Sequence, residues 1–111
     1  MKEISIDKLM ELYVDTISKC GIYLLSQDDV VIGYNIFEEF DIGVISFLHI
    51  DSLQKLNDAG LINGEVMEKS SMLRSMVMEL QDSPKWSVEG VKSSPEWRKI
   101  LELSDEIKKK L

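Results

Sequence analysis

The strongest constraint on this chain is a set of apolar residues recurring at three- and four-residue steps, bounded by residues that start and stop helices. In residues 5–20, Ile6, Leu9, Met10, Tyr13, Val14, Ile17 and Cys20 keep that step and so share one helix face. Gly21 follows, where a helix end favours a left-handed residue. Asp51 can cap a short helix whose Leu53 and Leu56 point inward, and Ala59-Gly60-Leu61-Ile62 supplies a glycine stop of the Schellman kind. Asn63 or Gly64 opens the next helix, with Val66, Met67, Leu73, Met76, Val77 and Leu80 as its buried stripe and Met72 and Met78 to either side. Ser83-Pro84-Lys85-Trp86 and Ser94-Pro95-Glu96-Trp97 echo each other, each with serine at an N-cap and proline at the first helical position. They predict a short helix ending near Gly90 and a last helix with Trp97, Ile100, Leu101, Ser104, Ile107 and Leu111 on one side. Lys108, Lys109 and Lys110 complement the negative end of that helix. Capping uses every residue of the two Ser-Pro units, which phosphorylation does not.

Residues 22–50 read two ways. Their Ile, Val, Tyr and Phe favour strands, while the spacing Val30, Tyr34, Phe37 favours a helix and Ser26 with Asp29 suits its start. A helix is the reading adopted, and a hairpin of residues 22–25 against 30–36 is the alternative. The expected fold is therefore all-α, a single compact bundle of five to seven helices over residues 1–111, with α+β carrying a small hairpin at 22–36 as the alternative. A chain of 111 residues can bury about two-thirds of its surface, enough for a core without disulfides.

Little in the chain points to catalysis. There is one histidine and one cysteine, and His49 reads as a helix-boundary residue while Cys20 falls on an inward stripe. A structural zinc site needs about four Cys or His ligands. Asp28-Asp29 and Glu38-Glu39-x-Asp41 lack the alternation and glycine of a calcium loop, and no glycine-rich phosphate loop occurs. The expectation is a binding protein, not an enzyme, with no metal and no cofactor. A lone cysteine gives no sign of an oxidising compartment, and the start Met-Lys-Glu-Ile-Ser-Ile-Asp lacks the pattern of a signal peptide. The apolar run Ile42 to Leu48 is far short of the ~20 residues of a membrane helix. A cytoplasmic location follows as the expectation.

The net charge of −7 opposes direct binding to nucleic acid or to anionic membranes, which rests on clustered Lys and Arg. Its distribution says more. Residues 21–60 hold seven acids and one base, and no Lys or Arg occurs between Lys19 and Lys55, whereas residues 83–111 are mildly basic. Asp28, Asp29, Glu38, Glu39, Asp41 and Asp51 all fall in the base-free gap.

Two blocks carry a resemblance. Phe47-Leu48-His49-Ile50-Asp51-Ser52-Leu53-Gln54-Lys55-Leu56-Asn57-Asp58-Ala59-Gly60-Leu61-Ile62 and Trp97-Arg98-Lys99-Ile100-Leu101-Glu102-Leu103-Ser104-Asp105-Glu106-Ile107-Lys108 resemble small acidic immunity proteins of bacterial contact-dependent growth inhibition systems, and Trp86 before Val88-Glu89-Gly90-Val91 is similar in placement. The likeness covers residues 37–111 and lies mostly in helix- and core-forming positions. It implies a cytoplasmic protein, monomeric when free, that binds one toxic C-terminal domain of a secreted effector, often a nuclease, and covers its active site or substrate entry. A nuclease offers positive potential to its substrate, so Asp28, Asp29, Glu38, Glu39, Asp41 and Asp51 are the candidate toxin-binding residues. A small helical adaptor or secretion chaperone is the alternative function.

Overall fold

Capping chemistry sets the element order in the computed structural model, which describes residues 4–111. Helix α1 (Ile6–Ser18) begins at Ser5, whose hydroxyl accepts the Lys8 N–H at 3.1 Å. A 3₁₀ turn (Ile22–Ser26) leads to α2, residues 29–47, in which Asp29–Gly33, Tyr34–Phe40 and Asp41–Phe47 follow without a break and the middle segment is π-helical. Helices α3 (Ile50–Asp58), α4 (Gly64–Leu80), α5 (Val88–Ser93) and α6 (Pro95–Lys109) complete an all-α bundle. No strand occurs among the described residues, so residues 22–36 form no hairpin.

Several start and stop signals act one residue or more away from where the sequence places them. Asp28, not Ser26, caps α2 by accepting the Val31 N–H at 2.9 Å, while the Ser26 hydroxyl donates back to the Tyr23 carbonyl at 2.8 Å. A carboxylate makes the stronger, charge-assisted cap and also suits the positive helix end. His49, not Asp51, caps α3: its Nδ1 accepts the Asp51 N–H at 3.2 Å, and Asp51 lies in the first turn. Gly21 is extended, with φ 164°, not left-handed. Its need for glycine is steric, because a Cβ there would press on the side chains of Asp105 and Lys108. Gly60, at φ 76°, is the left-handed stop expected, with the Leu61 N–H on the Leu56 carbonyl and the Gly60 N–H on the Asn57 carbonyl, both at 3.0 Å. Asn63 caps α4, and Ser94 with Pro95 opens α6 as expected.

The first Ser-Pro unit does not open a helix. Residues 83–86 form a turn, α5 starts at the Ser87 cap, and Gly90 lies inside α5 instead of at its end. The indole N–H of buried Trp97 donates to the Lys85 carbonyl at 2.8 Å, and the Ser87 N–H shares that carbonyl at 2.9 Å, so it is not free for an i+4 helical bond. Phe37, Trp86 and Trp97 meet over this turn with ring centroids 5.0 to 6.1 Å apart.

Helix α2 holds the middle of the core through Ile32, Ile36, Phe40, Val44 and Leu48, all fully buried and each four residues from the next. The spacing Val30, Tyr34, Phe37 chose the right element, although Val30 and Tyr34 are exposed and only Phe37 packs on the core. At 3.6 residues per turn, four-residue steps drift by about 40° each and about 160° from Ile32 to Leu48. An α-helix would carry the stripe out of the core. The π segment Tyr34–Phe40 takes more residues into its turn and keeps the stripe facing inward. Against this wall pack Leu9, Tyr13 and Ile17 of α1, Leu53 and Leu56 of α3, Leu73 and Val77 of α4, and Trp97, Ile100 and Ile107 of α6. Met67 and Met76 join the core edge while Met72 and Met78 stay exposed, as their spacing predicts.

Most buried polar side chains are paired across elements, and Arg74 Nε is the buried atom without a hydrogen-bond partner among the described residues. The Tyr13 hydroxyl and the Ser70 hydroxyl share a 2.6 Å bond, and burial raises the Tyr13 pKa. The Ser104 hydroxyl serves the Ile17 and Cys20 carbonyls at 3.1 and 3.0 Å, and the Lys108 ammonium donates to the Cys20 carbonyl at 2.7 Å. The radius of gyration, 13.7 Å, matches the roughly 13 Å of a compact chain this long.

Helical Gly→Ala changes stabilise by roughly 0.5–1 kcal/mol where space allows. At Gly90 a Cβ would overlap the Lys85 carbonyl, so Gly90→Ala is expected to destabilise by about 1–3 kcal/mol in urea unfolding and to alter tryptophan fluorescence. A stabilised variant would show that the Lys85 turn is not held as described.

Candidate interaction surface

The solvent side of α2 mirrors its core side. Offset by two residues from the buried ladder stand Val30, Tyr34, Glu38 and Ile42, with Ile45 continuing the line. Two residues are about 200° on an α-helix, so the two ladders look in nearly opposite directions. Val30 is 81% exposed, Ile42 62%, Tyr34 51% and Ile45 48%. Single exposed apolar residues are ordinary, but four along one helix face, interleaved with acids, mark a surface that can be covered by a partner.

The six acids of the base-free gap do not form one cluster. Asp28 is spent on its cap, and Asp29 meets Lys92 of α5 at 3.0 Å. Asp41 accepts from the Gln81 amide of α4 at 2.7 Å, and Asp51 stands by His49 at the start of α3. Glu38 and Glu39 are the two that meet on the outer side of α2. There they line a groove of about 330 Å³ between α1 and α2, together with Asp15 of α1. Leu12, Thr16, Ile42, Gly43 and Phe47 supply its apolar and small lining, and Tyr34 completes it. Among the described residues no Lys or Arg lines this groove; Lys19 approaches it by pairing with Asp15 at 3.7 Å.

The π segment shapes the groove. The Tyr34 hydroxyl donates to Glu39 Oε1 at 2.6 Å, across five residues that an α-helix would set about 140° apart. The i→i+5 geometry of the π turn lines them up instead. The bond to Glu39 raises the Tyr34 pKa. Gly43 lets α1 close on α2, because a Cβ there would overlap the Thr16 side chain. Sequence reasoning missed Asp15, Val30, Tyr34, Ile42 and Ile45. Their signal was present as a second four-residue ladder, in which the spacing of Val30 and Tyr34 served only to argue for a helix.

A second groove, of about 890 Å³, lies where α1 starts against α2 and α3. Ile4, Ile6, Leu9 and Phe47 line it, with one base, Lys55, beside one acid, Asp58. It therefore has no net sign of charge.

The reactive side chains are occupied structurally. His49 spends Nδ1 on its cap, and Cys20 is fully buried, with burial pushing its thiol up to about 12. Among the described residues no three His, Cys, Asp or Glu stand together to hold a metal ion, and no helix is long and apolar enough to cross a membrane. Comparison with protein-family models, curated proteins and solved structures finds no match.

A thiol raised to about 12 stays protonated at pH 8, and the reacting species is the thiolate. Cys20 in the native protein is expected to resist Ellman's reagent at pH 8 and to react in full once urea unfolds the chain; rapid native labelling would place it outside the core.

Proposed function

We propose that this chain is an immunity protein, which binds and neutralises the toxic C-terminal domain of a contact-dependent growth inhibition effector by covering its active site or substrate-binding surface. The observation that carries the reading is the outer face of α2, where Val30, Tyr34, Ile42 and Ile45 are exposed beside Glu38 and Glu39 in a stretch without Lys or Arg. Apolar residues supply the area that a lasting complex buries, and the acids supply attraction to a surface built to hold nucleic acid. Such complementarity raises association rates towards ~10⁸ M⁻¹s⁻¹ at low salt. The resemblance of residues 47–62 and 97–108 to immunity proteins agrees with a partner of this kind. The partner is one nuclease domain per chain, met in the cytoplasm, and the protein acts by occlusion without chemistry of its own.

Of the six acids proposed from sequence, Glu38 and Glu39 are the ones this reading keeps at the contact, because Asp28, Asp29 and Asp41 serve the fold and Asp51 stands by His49 in the first turn of α3. Co-expression with the toxic domain encoded directly upstream is expected to rescue growth, and the purified pair to elute as a 1:1 complex with the nuclease silenced. Glu38→Lys with Glu39→Lys is expected to slow association about tenfold or more at low salt, with helicity unchanged and the difference shrinking as salt is added. A protein that stays monomeric beside that toxin and leaves it active would overturn the proposal.

A further inference from the structure

The groove between α1 and α2 has a shape and charge that specify its occupant more closely than the face around it. It combines three carboxylates, Asp15, Glu38 and Glu39, with apolar lining from Leu12, Ile42 and Phe47, and among the described residues it has no cation in its lining. Its volume of about 330 Å³ stands at the small end of ligand pockets, which run from about 300 to 1,000 Å³. Glu38 is exposed and has no ion-pair partner among the described residues. Asp15 shares only a loose 3.7 Å contact with Lys19, and Glu39 is held from one side by the Tyr34 hydroxyl.

We infer that this groove receives an arginine side chain from the partner protein, its guanidinium set between Glu38 and Glu39 and its stem laid along the apolar lining. The inference rests on the inhibitory reading above and names what the partner brings to the same face. Charge complementarity selects a cation, and the apolar lining selects one with a long aliphatic stem. Arginine suits the site better than lysine for two reasons. Its planar fork can meet two carboxylate oxygens at once, and it stacks on aromatic rings such as those of Tyr34 and Phe47. The Tyr34 to Glu39 bond orients one carboxylate in advance, so less freedom is lost when the guanidinium arrives. The π turn is thus part of the recognition device, since it places those two side chains side by side.

The test uses the isolated full chain labelled with ¹⁵N and titrated at low salt with capped Gly-Arg-Gly, with capped Gly-Lys-Gly and with spermidine. Amide shifts for the arginine peptide are expected to centre on Thr16, Glu38, Glu39, Ile42 and Gly43, with an affinity several-fold above that for the lysine peptide. Glu38→Gln with Glu39→Gln is expected to cost about tenfold or more in affinity for the arginine peptide, since both charged acceptors are lost. Both positions face solvent or the groove, so circular dichroism should be unchanged. Tyr34→Phe should weaken the arginine peptide and leave spermidine unaffected. Equal binding of lysine or spermidine would make the groove a general cation site and overturn the inference, as would shifts centred on Asp28 and Asp29. If the Gln pair abolishes peptide binding while co-expression still rescues growth fully, the arginine contact falls and the inhibitory role stands.

Discussion

A stripe of five buried residues spaced by four, from Ile32 to Leu48, is the constraint on which this structure turns. No α-helix can keep such a stripe on one side over that length, and the buried residues of α1, α3, α4 and α6 pack in one core with it. The backbone resolves the conflict by widening one turn, at residues 34–40. The cost of poorer hydrogen-bond geometry in the π turn is offset by the burial of Ile36, Phe40, Val44 and Leu48, each worth about 1.5–3 kcal/mol as a fully buried apolar side chain. The outer face inherits the same adjustment. Tyr34 and Glu39 become neighbours, Glu38 and Ile42 stand in line, and the groove with α1 opens beside them.

Much of the fold was legible from caps and periodicity, because those are local effects. Leu53, Leu56, Asn63, Ser94, Pro95 and Gly60 act as their sequence contexts predict. The failures share a cause. Ser83-Pro84 has the same local chemistry as Ser94-Pro95, yet a tertiary donor, the Trp97 indole, takes the Lys85 carbonyl and leaves a turn where a helix would start. At Ser26 and Asp51 a neighbour with a better placed acceptor took the capping role. The steps Val30, Tyr34 and Phe37 pointed to a helix but not to its buried face, because the ladder that is buried needs a helical turn wider than the standard one.

The proposed binding face was half legible. Its sign could be read, since the gap between Lys19 and Lys55 is visible in the letters alone. Which acids stay free could not, because Asp28 takes the cap of α2, and Asp29 and Asp41 are used by bonds that depend on where α5 and α4 pass. Asp15 joins the groove from another helix, nineteen or more positions away from any residue of α2 that shares its lining. Asp15 therefore joins Glu38 and Glu39 in one groove only after α1 has docked on α2.

That docking has a place in time. The carbonyl of Cys20, at the exit from α1, is held by Ser104 and Lys108, across 84 and 88 positions of chain. A ribosome adding about 5–20 residues per second needs on the order of 5–15 s between finishing the first helix and delivering the residues that fasten it. Helix α1 can meet α2 and α3 before then, but its exit at Cys20 stays unfastened until α6 has been made, so the two ends of the described fold are joined by bonds that no shorter piece of the chain can supply.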